Sequence, residues 1–94
     1  MIASYRDRNT ERLAAGEKVR QWEPFRRQVE KRLRILDAAL SLGELAALNS
    51  NRLEALKGDR KGWYSIRISD QWRICFKWPK YEPGPSSVEI VDYH

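Results

Sequence analysis

Apolar positions along this 94-residue chain change their spacing near its middle. From Pro24 onward, Phe25, Val29, Leu33, Leu36 and Leu40 recur every three or four residues, the repeat that lines one face of an α-helix, and proline suits its first turn. A shorter helix is expected before it, capped by Asn9 or Thr10, running to about Ala15 and stopped by Gly16. Leu42-Gly43 reads as the end of the long helix. Glu44 to Leu48 would add one turn before Asn49-Ser50-Asn51 opens a loop. Met1 to Tyr5 suit a short edge strand.

Beyond Asn51 the period becomes two. Tyr64, Ile66 and Ile68 alternate with Ser65 and Arg67, and Trp72, Ile74, Phe76 and Trp78 alternate with Arg73, Cys75 and Lys77. The short Ser69-Asp70-Gln71 turn between them makes these strands antiparallel neighbours. Pro79 to Ser87 reads as a proline-broken loop, and Val88 to Val91 as a last strand leading into Asp92, Tyr93 and His94. The expected fold is α+β: one domain over 1–94, helical over 6–48, with a small antiparallel β-sheet mainly over 52–94 and two to three N-terminal helices packed on one face.

Strand parity then divides the side chains. Trp72, Ile74, Phe76 and Trp78 share the face that meets the helices, so Arg73, Cys75 and Lys77 emerge on the other, joined by Ser65 and Arg67. The tryptophans at 63, 72 and 78 are all read as core. The helix-free face is therefore expected to be basic.

Composition sharpens this picture. With 41% hydrophobic and 11% aromatic residues the chain is too apolar for a disordered tail, despite 33% charged residues. Eighteen Lys plus Arg against 13 Asp plus Glu give a net charge of +5, concentrated in two stretches, 18–34 and 52–77. Such clustering suits a polyanionic partner. One cysteine excludes an internal disulfide, and one histidine leaves no His/Cys cluster for zinc, so neither metal nor cofactor is expected. No apolar run approaches the ~18–20 residues of a membrane span, and Met1-Ile2 passes into charged Arg6-Asp7-Arg8 without a secretory segment. A cytoplasmic location without membrane contact is expected.

The residues able to do chemistry are Glu54 and Lys57, Arg73 in mid-strand, and the run Asp92-Tyr93-His94. A mid-strand arginine beside Trp72 and Ile74 calls for an anion, a carboxylate such as Asp92, or an open face. In the bland reading Glu54 and Lys57 are solvated surface and His94 is incidental.

The blocks Leu53-Glu-Ala-Leu-Lys-Gly-Asp-Arg60, Ser65-Ile-Arg67, Gln71-Trp-Arg-Ile-Cys-Phe76 and Val88-Glu-Ile-Val-Asp-Tyr-His94, with Leu36-Asp-Ala-Ala39 and Met1-Ile-Ala-Ser-Tyr5, resemble a HigB-type toxin of the RelE/ParE superfamily. The resemblance runs in order along nearly the whole chain. It implies a ribosome-dependent messenger RNA endonuclease that inhibits translation, held inactive by a HigA-type antitoxin with a helix-turn-helix domain, and touching operator DNA only through that antitoxin. It also implies that Lys57, Arg73, Asp92, Tyr93 and His94 belong to the active site. Many such toxins have histidine where this chain has Glu54; Glu-x-Leu-Lys instead resembles the YoeB branch, in which the glutamate is the general base and a near-terminal histidine the acid.

These residue types suit metal-independent RNA cleavage, in which the 2′-hydroxyl attacks the adjacent phosphorus and the site supplies a base, an acid and cations for the developing charge. Glu54 and His94 are the base and acid, in an order the residues leave open. Arg73 and Lys57 hold the phosphate, Asp92 orients His94, and Tyr93 stacks on a base or orients the phosphate. Arg26, Arg27, Lys31 and Arg34 on the basic helix, and Arg60, Lys61, Arg67 and Lys77 near the sheet, are candidate ribosomal or messenger RNA contacts. The alternatives are a ParE-like gyrase inhibitor and a non-catalytic RNA-binding module on the same fold.

Overall fold

A computed structural model describes residues 1–92; Tyr93 and His94 lie outside the described residues. Three α-helices precede the sheet: α1 (Arg8–Ala14), α2 (Arg26–Ala38) and α3 (Leu42–Ala47). The sheet is an antiparallel meander in the order β1 (Glu54–Ala55), β2 (Trp63–Arg67), β3 (Trp72–Lys77) and β4 (Ser86–Asp92). The α+β architecture expected from the change of period is therefore present.

The helix boundaries differ from expectation in ways that short-range polar chemistry explains. Asp7, not Asn9 or Thr10, caps α1: its carboxylate accepts from the Thr10 backbone at 3.1 Å and the Thr10 hydroxyl at 2.6 Å. Thr10 is instead buried inside the helix, and its oxygen accepts from the Ile90 backbone at 3.1 Å, fastening α1 to β4. Pro24 belongs to a 3-10 turn, Arg20–Phe25, which buries Trp22 before α2 begins.

The apolar stripe also stops early. Val29, Leu33 and Leu36 are buried, but α2 ends at Ala38 and Leu40 is 76% exposed. Ser41-Leu-Gly-Glu44 has the spacing of a capping box and starts a new helix where Leu42-Gly43 had suggested an end, with Glu44 reaching one residue further back, to Leu40. The Ser41 hydroxyl accepts from the Glu44 backbone at 3.1 Å, and the Glu44 carboxylate accepts from the Leu40 backbone at 3.0 Å. Asn49–Asn51 forms a 3-10 turn rather than an open loop, locked because buried Asn51 donates to the Leu45 carbonyl and accepts from Arg32.

Residues 1–5 do not form a full strand. They run parallel to the outer edge of β4 through a single bridge, Tyr5 to Val88, with Ala3 donating to the Pro85 carbonyl and Val88 to the Ser4 carbonyl. The segment thereby covers a sheet edge that would otherwise be open.

Register places the core on one face. Ile66 lies opposite Ile74, and Ile74 opposite Ile90. These join Phe76, Val88, Leu13, Val29, Leu33, Leu36 and Leu45 in one cluster under the helices. Ile66 and Ile74 are fully buried, each worth about 1.5–3 kcal/mol of apolar transfer. Trp72 seals one end, stacked on Phe25 at 5.6 Å and edge-on to Trp22 at 6.3 Å.

Candidate active site

The helix-free face is organised in transverse rows. Glu54 lies opposite Ser65, Ser65 opposite Cys75, and Cys75 opposite Glu89; the flanking rows are Arg67, Arg73 and Val91 on one side and Trp63 with Lys77 on the other. Parity read from β3 thus predicted Ser65, Arg67, Arg73, Cys75 and Lys77 correctly, but Trp63 belongs with them and not with the core. It is opposite Lys77 and half-buried.

Arg73 is the most constrained cation of this face, 8% exposed. Its Nε donates to the Ser65 hydroxyl at 2.8 Å, and its Nη2 donates to the Arg52 carbonyl at 2.5 Å and the Ser65 carbonyl at 3.3 Å. Arg52 adopts a left-handed backbone (φ 47°), a cost of about 1–2 kcal/mol for a residue with a side chain, and this bend presents its carbonyl to the guanidinium. Arg73 therefore pins the segment entering β1 to the sheet. Val91 is its strand partner across the ladder; Asp92 lies opposite Trp72 and accepts from the Gln71 side-chain amide at 3.1 Å.

A cleft of about 320 Å³ opens on this face, lined by Leu56, Lys57, Arg60, Cys75, Val91 and Asp92. Its rim is the turn between β1 and β2. Lys57 is exposed and heads a 3-10 turn, Gly58–Arg60, which closes because Gly58 and Gly62 take left-handed φ values of 65° and 92°. The Leu56 backbone donates to the Trp63 carbonyl at 2.9 Å, joining the turn to β2. Arg60 reaches back over the sheet to Glu89 at 2.5 Å, and Glu89 also pairs with Arg6 at 3.3 Å.

Cys75 is 1% exposed on the cleft floor. Burial pushes its thiol pKa up, opposed by the nearby Arg60 guanidinium, which is the opposite of an activated nucleophile. It is a packing residue, as its sequence position suggested.

The structure thus brings Lys57 and Arg60 to one cleft, with Glu54 and Arg73 on the same face beside it, while Asp92 borders the cleft from the end of β4, in register with Trp72. Tyr93 and His94 follow Asp92 outside the described residues. Among the remaining candidates, Arg67 is ion-paired with Asp70, and Lys61 and Lys77 are exposed. The basic helix lies on the other side of the sheet. Within it Arg26 is committed locally, donating to Glu23, Glu30 and the Gly16 carbonyl, whereas Arg27, Lys31 and Arg34 are exposed. Sequence reasoning missed Trp63, Glu89 and Arg6. Glu89 stands alone between Val88 and Ile90 in an apolar strand, the one signal that marked it.

The sequence model of HigB-like toxins, RelE-like toxins of the type II toxin-antitoxin system HigB, matches residues 4–94. The chain belongs to this family. Among curated relatives, "Toxin HigB-1" of Vibrio cholerae serotype O1 is 46% identical over 48 residues, covering 51% of this chain and 50% of its own length. "Endoribonuclease HigB" of Proteus vulgaris is 39% identical over 67 residues, 71% of this chain and 70% of its own. The chain thus matches half the length of the first relative and about two thirds of the second. A solved "YoeB/ParE toxin from Agrobacterium tumefaciens" is 21% identical with a TM-score of 0.47, covering 79% of this chain and 83% of that one.

Proposed function

We propose that this HigB-like toxin is an endoribonuclease that cuts messenger RNA on the ribosome and is restrained by a cognate antitoxin carrying a helix-turn-helix domain. The observation that carries this reading is the cleft on the helix-free face, lined by Lys57 and Arg60 and bordered by Asp92, beside Arg73 and Glu54. The printed name of the Proteus vulgaris relative agrees with it.

The chemistry follows from the side chains. Glu54, on the edge strand and exposed, takes the 2′-hydroxyl proton; His94 protonates the leaving 5′-oxygen, with Asp92 orienting it and Tyr93 holding the neighbouring base or phosphate. Lys57 supplies a mobile point charge to the non-bridging oxygens. Arg73, held rigidly by Ser65 and Arg52, adds positive potential at the phosphate without reorganising during the reaction. Base, acid and cations all come from the chain, so the attack runs without a metal ion.

Primer extension on messenger RNA after induction tests the reading: cuts within translated codons are expected. DNA damage without cuts would replace it with gyrase inhibition, and neither cuts nor damage would leave an RNA-binding module.

The exposed basic residues of α2 supply the ribosome contact, a salt-sensitive attachment to ribosomal RNA backbone. Reversing Arg27, Lys31 and Arg34 to glutamate is expected to weaken co-sedimentation with ribosomes by about tenfold or more, while circular dichroism stays native. Unchanged sedimentation would remove α2 from the docking surface.

A further inference from the structure

The open face carries a group of cations that the cleft alone does not use. Three guanidinium or ammonium groups from three separate segments surround one indole, that of Trp63. Arg60 from the Lys57 turn stands 4.4 Å from the ring centre, Lys77 from β3 at 4.9 Å, and Arg6 from the N-terminal segment at 5.3 Å. Glu89 offsets one of these charges by pairing with both Arg6 and Arg60. The group keeps a surplus of positive charge on a rigid aromatic platform.

Its position is informative. Side chains on the helix-free face of β3 are two residues apart, so each of Arg73, Cys75 and Lys77 stands about 6.5–7 Å from the next along the strand. That step is comparable to the span between neighbouring phosphates of an extended single strand. Arg60 belongs to both places, lining the cleft and lying over Trp63. A strand whose scissile phosphate sits in the cleft meets the Trp63 group next.

We propose that Arg6, Arg60 and Lys77 around Trp63 form a second phosphate subsite, which takes the backbone phosphate adjacent to the scissile one on the same RNA strand. This inference rests on the cleft reading above. The indole holds the cations in place rather than stacking on a base, because they already occupy the space about its ring. Glu89 sets the aim of Arg6 and Arg60 and prevents their mutual repulsion from splaying them. The subsite recognises backbone charge, so its contribution is independent of base identity and weakened by salt.

The experiment compares binding of the full-length protein to two RNA probes, a dinucleotide with one phosphodiester and a tetranucleotide extended by one nucleotide at each end. Both carry a 2′-deoxy substitution at the attacking position so that neither is cut. At low ionic strength the tetranucleotide is expected to bind about three- to tenfold more tightly. Lys77→Ala and Arg6→Ala should each erase most of that gain, leave dinucleotide binding in place, and lower the salt dependence by about 0.7 in log–log slope per lost phosphate contact. Lys77 is exposed, so its variant keeps the fold even if loss of the Arg6–Glu89 pair disturbs the N-terminal segment. A tetranucleotide that binds no better than the dinucleotide, or a gain that survives Lys77→Ala, overturns the subsite and leaves the cleft reading intact. A dinucleotide whose binding is indifferent to Lys57→Ala overturns the cleft reading itself, and the subsite with it.

Discussion

Arg73→Ala is expected to lower messenger RNA cleavage by about two to three orders of magnitude, the range for removing a preorganised group that stabilises transition-state charge. It should also lower stability, since the buried Ser65 hydroxyl loses its donor, at about 1–3 kcal/mol, and the segment entering β1 loses its tie to the sheet at the Arg52 carbonyl. The two effects are separable. Ser65→Ala removes the 2.8 Å contact to Nε while keeping the charge, so its loss of thermal stability should come with no more than about tenfold loss of cleavage. Arg73→Lys keeps a cation but not the planar fork that spans Ser65 and Arg52, and is expected to fall between the two. Single-turnover cleavage read beside the unfolding midpoint decides the matter. A folded Arg73→Ala protein with full activity would leave Arg73 only its role as a pin.

Glu54→Gln carries the second large effect, with cleavage lowered by about two to three orders of magnitude if the carboxylate is the general base. Glu54 is exposed on a two-residue edge strand, so its removal should change stability by no more than about 0.5 kcal/mol. The contrast with Arg73 is therefore large: the same scale of catalytic loss with almost no structural cost. The pH–rate profile adds a second readout. Loss of the acidic limb assigns the base to Glu54, whereas loss of the alkaline limb assigns it the acid role and gives the base to His94. An unchanged rate and profile would return Glu54 to the solvated surface.

Much of the frame was legible because it depends on periodicity. The stripe Val29, Leu33, Leu36 and the alternation around Ile74 and Phe76 each follow from a repeat that only one regular structure can bury on one side. Helix ends were less legible, since they depend on which of several neighbouring polar side chains reaches the backbone. Asp7 outcompeted Asn9 and Thr10, and the Ser41–Glu44 box outweighed the glycine at 43. Trp63 shows a different limit. Parity on its own strand puts it with Ser65 and Arg67, but a large aromatic residue is read as core unless the cations that cover it are known, and two of those three lie far away in sequence.

By itself the sequence determined the α+β class, which side chains share the helix-free face, and the family blocks from which the candidate residues were drawn, because hydrophobic period, side-chain parity and short motifs are local properties of a chain. Only the tertiary structure decided that Arg73 is a buried pin held by Ser65 and Arg52, that Glu89 ties Arg60 and Arg6 beside Trp63, and that the Lys57 turn overhangs Cys75 and Val91 to make a cleft. Those arrangements join residues separated by up to 83 positions, and their partners are selected by strand register and by the need to satisfy buried polar groups, neither of which is written in any one segment.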